Sequence, residues 1–427
     1  MIKETIYNLR HQPVVTVVTV TGTALSIFLI MVFVMMNQVR VAPFAPESNR
    51  DRFLHYNWLS FKHESWSEGS DSNGPMAWKV VNDLFYTFKS PEAVAAYTSS
   101  TDVKSVGIQG EKTFAADVRE TNSGYFDVFD FSFVSGRPFS REEEDAGLPL
   151  AVIDTNVART LFGTEQAEGK RFQINGGDYS VVGVVRPVSP IADRAYAHVW
   201  INTQSTDMPS STWAEIGGSY TVTMLVPDGK TAGEVKGDFN RHFEAYNSGL
   251  GKSGWTIINR NRPYTQEKLA VSDFANVEPD LETYRKTGYT IYAILLLVPA
   301  INLAGMTHSR MRRRVGEIAV RRAFGATRFR IFSDIITENM LITLAGGLIG
   351  LLLSLLAAFG FGNVLFAMNY NYSLSPVSVN PSMLLQWSTF GWALLFCFIL
   401  NLLSAGLPAI QMSRIGLVNS LRGGANK

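Results

Sequence analysis

Ser309–Phe332 reads SRMRRRVGEIAVRRAFGATRFRIF, and the side of a membrane on which it lies decides the architecture of the chain. It carries Arg310, Arg312, Arg313, Arg314, Arg321, Arg322, Arg328 and Arg330, and it sits between two stretches free of Asp, Glu, Lys and Arg, Thr287–Met306 and Met340–Gly362. Two more such stretches, Val14–Met36 and Trp387–Ile410, complete a set of four, each at or above the ~20 residues with which a helix crosses a bilayer. Short Lys/Arg-rich loops stay in the cytoplasm, because carrying their cations across is costly. The Arg-rich segment is therefore inside. Working outward, the loop Asn363–Gln386 has no charge of either sign and falls outside, while Lys3 and Arg10 before the first stretch and Arg414, Arg422 and Lys427 after the last keep both termini inside. The first stretch is too long for a cleaved signal, with 23 uncharged residues against the roughly 7–15 of a signal core, and no small-residue cleavage site follows it.

The expected fold is an α-helical membrane protein with four transmembrane helices and a large extracytoplasmic α+β domain between spans 1 and 2. The expected segments are a cytoplasmic amphipathic N-terminus (1–13), span 1 (14–36), the outer domain (37–286), span 2 (287–306), a cytoplasmic loop (307–339), span 3 (340–362), a short outer loop (363–386), span 4 (387–410) and a cytoplasmic tail (411–427). Charge divides along the same lines. Residues 38–286 hold 25 basic and 33 acidic side chains, 25 − 33 = −8, and the remainder holds 13 and 4, 13 − 4 = +9, which gives the chain's net +1. An acidic outer domain offers no surface for nucleic acid. The single cysteine, Cys397, lies in the fourth apolar stretch, so the outer domain has no disulfide and must be held by its core.

Within that domain Arg171–Ile174 and Tyr179–Val185 read as paired strands around an Asn175-Gly176-Gly177-Asp178 turn. Val103–Gln109, Leu150–Asp154, Val199–Asn202 and Ser219–Val226 read as further strands. Ser90–Tyr97, with Ser90 as N-cap and Pro91 at the first helical position, reads as a helix, as do Thr155–Phe162 and Thr231–Tyr246. Chemical motifs are weak. Gly163-Thr-Glu-Gln-Ala-Glu-Gly169-Lys170 has one residue too many for a phosphate loop and Arg171 where Ser or Thr would hold magnesium, so it reads as a turn. Glu142-Glu143-Glu144-Asp145 reads as a solvated loop rather than a cation site. The six histidines form no close ligand pair, and there is no Gly-x-Ser-x-Gly elbow. The reading is therefore a non-catalytic chain, with no metal and no directly bound cofactor.

On a helix, Val315, Ile318, Ala319, Ala323 and Ala326 draw a narrow apolar stripe opposite Arg313, Arg314, Glu317 and Arg321, where Glu317 can pair with Arg313 and Arg321 at four-residue spacing. Gly325 can end that helix and Thr327 can cap the next. Such a helix suits docking to a partner or lying along anionic lipid.

Glu317-Ile-Ala-Val-Arg321-Arg322-Ala323-Phe-Gly325-Ala326-Thr-Arg328, following Asn302, closely resembles the signature of FtsX-like permeases of ATP-binding-cassette systems, the MacB-like group included. A second set of matches lies in the outer domain: Ser123-Gly-Tyr-Phe-Asp-Val-Phe129, Ser135-Gly-Arg-Pro-Phe139, Val152–Gly163, Gly169-Lys170 and Tyr179–Val185. Tyr7-Asn8-Leu9-Arg10, Pro408 and Ser420-Leu421-Arg422 extend the likeness to almost the whole chain. Val315-Gly316 depart from the pattern, a glycine there softening the first turn by about 1 kcal/mol relative to alanine.

The resemblance implies that Arg313, Arg314, Glu317, Ile318, Arg321, Arg322, Ala323, Gly325 and Ala326 form a coupling helix that contacts a separate cytoplasmic ATPase, which uses the ATP. It also implies a second permease chain, identical or related, an inner-membrane location, and an outer adaptor or substrate protein as a further partner. Motion of the spans would drive the outer domain without a conventional pore, and the substrate would be a peptide, an antibiotic or a lipid-anchored molecule. The alternatives are a transmembrane signaller that activates an outer partner such as a cell-wall hydrolase or a sensor, and an ATPase-independent receptor. The spans hold no Lys, Arg, Asp or Glu, the residues that an ion pathway usually needs. Pro299 and Asn302 would kink and hydrogen-bond span 2 as a lever, and Gly346 and Gly350 form a small-xxx-small pair for close helix packing, within one subunit or across a dimer.

Overall fold

A computed structural model describes residues 13–205, 215–295, 297, 320, 324–366, 374–375, 390–392, 394–395 and 398–399. The chain divides into two compact units: Val39–Glu282 with Phe366–Val379, and the helical remainder. Helix α1, Pro13–Val41, begins with proline at a position whose N–H would be unpaired anyway, and runs past the apolar stretch to Val41.

The outer unit has two cores. One is a closed ring of strands: β5 (Asp102–Gly107), β6 (Phe114–Thr121), β8 (Leu150–Asp154), β9 (Arg171–Ile174), β10 (Gly177–Val185) and β11 (Val199–Asn202). β11 pairs antiparallel with β8 and parallel with β6, so the order β6-β5-β9-β10-β8-β11 returns on itself and leaves no open edge. Val106, Val118, Ile153, Phe172, Val184 and Val199 fill it, with Val157 and Ala158 of the helix Thr155–Phe162 packed on them. A short strand, β7 (Phe133–Gly136), adds to β10. Gly136 is left-handed there, and a Cβ would stand 2.2 Å from the Val182 carbonyl, so only glycine fits.

The second core lies under β4 (Ala93–Thr98), β12 (Tyr220–Leu225), β1 (Phe53–Tyr56) and β14 (Tyr264–Thr265), with a separate sheet of β2 (Leu59–His63), β3 (Ser72–Gly74) and β13 (Trp255–Ile258). The helix Ala232–Leu250 starts at a capping box of Thr231 and Glu234 and buries Val235, Phe239 and Phe243, spaced by four, against Tyr56, Phe61 and Phe85. Truncating a ring such as Phe239 costs about 3–5 kcal/mol, which matters in a domain without disulfides.

Three expectations are corrected. Ser90–Tyr97 is not a helix: Ala93–Thr98 is strand β4, bonded along its length to β12 and touching β6 at Tyr97, and Ser90 instead donates to Asp238. Pairing between strands overrides the alanine-rich local preference. Glu142–Asp145 is not a solvated loop but part of the helix Arg141–Asp145, capped by Ser140 and Glu143. In it Glu144 is fully buried, accepting from Tyr86 Oη at 3.0 Å and from Ser123 N and Oγ at 2.8 and 2.7 Å. The β9–β10 turn needs two residues rather than four: Asn175 and Gly176 have φ of 49° and 87°, and Gly177 already pairs with Ile174. The false phosphate loop is a turn, with Gly163 ending a helix at φ 68° and Gly169 at φ 77°.

In the helical unit, α5 here denotes Arg328–Gly360, counting Arg141–Asp145, Thr155–Phe162 and Ala232–Leu250 as α2, α3 and α4. Its 33 residues make it roughly 50 Å long at 1.5 Å per residue. Thr16–Val41 of α1 and Met340–Gly360 of α5 are long and apolar enough to cross a membrane. Half of the expected second span and most of the fourth fall outside the described residues.

Candidate functional site

Of the expected coupling residues, Arg313, Arg314, Glu317, Ile318, Arg321, Arg322 and Ala323 lie outside the described residues, as do Pro299 and Asn302. The described end of that segment is a sharp break. Phe324 N–H donates to Val320 O at 3.1 Å, Gly325 takes φ 92°, and Thr327 caps α5 by accepting from Arg330 N at 3.3 Å. Phe324 and Phe329, on either side of the break, are 89% and 78% exposed. Exposed aromatic rings are the side chains that most often anchor interfaces, and a reading centred on arginines and an alanine stripe passes over them.

Gly346 and Gly350 pack within the chain, against α1. A Cβ on Gly346 would meet Thr23 Cβ at 2.7 Å, and one on Gly350 would meet the Ala24 carbonyl at 2.5 Å and Ile27 Cβ at 3.0 Å. Between them Gly347 faces Leu394, 2.5 Å from a Cβ. Ala24, Ile27 and Met31 are buried along this seam, and Thr23 returns its hydroxyl to Thr19 O at 2.9 Å, so that hydroxyl is satisfied within its own helix.

At the other end of α1 the last carbonyls are taken up by side chains of the outer unit. Arg50 Nη1 donates to Val39 O at 2.6 Å and to Ala42 O at 3.1 Å, while its Nε donates to Glu47 Oε2 at 2.7 Å. Both members of this ion pair are buried, and Glu47 Oε1 accepts from Arg194 N and Ala195 N at 3.0 and 3.2 Å. Segment 193–196 is fixed from its other side by Arg119, whose guanidinium donates to the carbonyls of Tyr196, Thr98 and Asp193.

The carbonyl between, Arg40 O, accepts from Gln266 Nε2 at 2.8 Å. Gln266 Oε1 is thereby the acceptor for His55 Nε2 at 2.8 Å, which leaves His55 Nδ1 to accept from Thr223 Oγ1 at 3.0 Å and Thr223 in turn to accept from Tyr97 Oη at 2.8 Å. The network sets the neutral tautomer. Burial holds His55 well below the usual histidine range, and the Arg194 cation adds to this. Burial likewise raises the Tyr97 hydroxyl. The arrangement is a polar chain that ends on the Arg40 carbonyl and so holds the end of α1 in place. Among the described residues no group of His, Cys, Asp or Glu could hold a metal.

A family model described as the MacB-like periplasmic core domain matches residues 16–242, more than half the chain, and one described as the FtsX-like permease C-terminal matches residues 289–417. The chain is 23% identical over 340 residues to the ABC transporter permease YknZ of Bacillus subtilis, covering 78% of this chain and 77% of that protein. It is 24% identical over 321 residues to the macrolide export ATP-binding/permease protein MacB of Escherichia coli K12, covering 72% of this chain and 43% of MacB, so it spans less than half of MacB's length. The solved extracellular domain of the YknZ transporter from Gram-positive bacteria aligns at 18% identity with a TM-score of 0.33, over 48% of this chain and all of that one. The first match runs from α1 into the outer domain, the second covers the part of the chain that follows that domain, and the chain belongs to the MacB/FtsX family of ABC transporter permeases.

Proposed function

We propose that this permease spans the membrane four times with both termini in the cytoplasm, and that it passes mechanical work from a separate cytoplasmic ATPase to its outer domain. The observation that carries the reading is the joint match to the periplasmic core and the permease C-terminal region, with the Arg-rich segment 309–332 inside the second. Arg313, Arg314, Glu317, Ile318, Arg321, Arg322 and Ala323 dock on the ATPase, and Gly325 with Ala326 and the Thr327 cap relays the displacement into α5. Pro299 and Asn302 serve as the lever in span 2. Two permease chains, identical or related, act as a pair, each with one ATPase. The substrate is a peptide, an antibiotic or a lipid-anchored molecule taken up outside, with an adaptor or substrate protein as outer partner.

Isolation of the complex in detergent with identification of what copurifies tests the partnership. Combining Glu317→Lys with Arg321→Glu and Arg322→Glu is expected to abolish ATP-dependent activity while the protein stays inserted. Unchanged activity in that variant would overturn the coupling assignment, and absence of any copurifying ATPase would favour a receptor.

A further inference from the structure

Asp117 in β6 is fully buried, and its Oδ2 accepts two hydrogen bonds. One comes from Tyr196 Oη at 2.5 Å, and the other, at 2.8 Å, comes from the backbone N–H of Leu374. Leu374 belongs to the uncharged loop that follows α5, whose residues 366–379 cluster with the outer unit. The next residue makes two more contacts: Ser375 N–H donates to Tyr196 Oη at 3.3 Å, and Ser375 Oγ lies 2.6 Å from His198 Nε2.

A Ser, a His and an Asp in one place invite a nucleophilic reading, which the proton positions exclude. His198 Nδ1 accepts from Asp117 N–H at 3.0 Å, so the ring proton of the neutral imidazole sits on Nε2 and is donated to Ser375. A general base needs that nitrogen bare. Asp117 Oδ2 stands 3.7 Å from Nδ1 and is occupied by the two other donors.

What the geometry does well is hold a loop. A buried carboxylate is costly unless donors reach it, and one of its two donors here is the main chain of a segment about 250 residues away. We infer that Leu374-Ser375 is a latch, and that Asp117, Tyr196 and His198 are its receptor, by which this loop is fastened non-covalently to the outer domain. The receptor adjoins segment 193–196, which Glu47 and Arg119 also grip. Resting on the mechanical function proposed above, the latch is the point at which a pull on this loop would enter the β6–β11 pair.

Hydrogen exchange of the full chain in lipid nanodiscs, followed by mass spectrometry, reads the latch directly through peptides spanning 366–379. The Leu374 and Ser375 amides are expected to be protected in the natural chain; the Ser375 amide should exchange about tenfold faster in Tyr196→Phe/His198→Ala, which removes its acceptor, and the Leu374 amide about tenfold faster in Ser375→Pro, whose ring restricts the preceding residue and draws it off Asp117. Peptides from β6 and β11 report whether each variant keeps its fold. Exchange at the free-chain rate in the natural protein, or rates unmoved by both variants with β6 and β11 intact, would overturn the latch. Faster exchange without any loss of ATP-dependent activity would overturn its part in transmission. The exchange measurement needs neither ATPase nor substrate, so its outcome is independent of whether the proposed function holds.

Discussion

Replacing Gly350 with alanine tests whether α1 and α5 are joined as described. The added methyl would stand 2.5 Å from the Ala24 carbonyl oxygen, against 3.4 Å for ordinary contact, so the helices must part by 3.4 − 2.5 = 0.9 Å locally. The obstacle is backbone and cannot rotate away. Overpacking of this kind costs about 1–3 kcal/mol, and the better helix propensity of alanine returns about 1 kcal/mol. The net expectation is a loss of up to about 2 kcal/mol, read as a lower midpoint in thermal unfolding of the detergent-solubilised chain. Gly346→Ala meets the Thr23 side chain first, at 2.7 Å, with the Val20 carbonyl at 3.1 Å, and should lose less. Gly360→Ala, in the same helix with nothing within 4 Å, should be neutral or slightly stabilising. If Gly350→Ala and Gly360→Ala unfold alike, the close contact is not made in the protein and the reasoning fails.

His55 is held neutral in the folded state but titrates near 6.5 in the unfolded chain. Below that pH the unfolded state binds a proton that the folded state does not, so stability is complete above about 6.5 and falls as pH drops, by at most about 1.4 kcal/mol per unit. His55→Gln should flatten this limb of the pH–stability curve, and an unchanged slope would show that the acid sensitivity lies elsewhere. Arg50→Met leaves Glu47 buried without its cation and the Val39 and Ala42 carbonyls without their donor. About 3–5 kcal/mol of stability should be lost, and Arg50→Met/Glu47→Gln should lose less than the two single variants summed, as a double-mutant cycle would reveal.

The expected sidedness of the chain rests on charge asymmetry, because the cost of moving arginines across a bilayer acts through composition alone. The β9–β10 hairpin was equally plain, since Asn-Gly between alternating apolar residues has few other uses. The junction at the end of α1 was not. His55 and Gln266 are 211 positions apart, Glu47 reaches Arg194 across 147, and nothing local distinguishes them from surface polar residues. Glu144 was misread for the same reason: three neighbouring acids look solvated, and only the approach of Tyr86 and Ser123 explains why one of them turns inward. The Leu374 contact is harder still to foresee, because it is made by a backbone N–H that every residue but proline carries. The small-xxx-small pair announced close packing, yet the identity of its partner helix is a tertiary fact.

The seam between α1 and α5 differs in kind from the aromatic core beneath Phe239. Side chains that meet side chains can absorb a push by changing rotamer, so a displacement fades over a few contacts. Where Gly350 lies against the Ala24 carbonyl there is no torsion left to yield, and the compliance of the joint is that of two peptide backbones. The stiffness of the α1–α5 seam is therefore set by two backbones in contact and not by the rotamers of side chains between them.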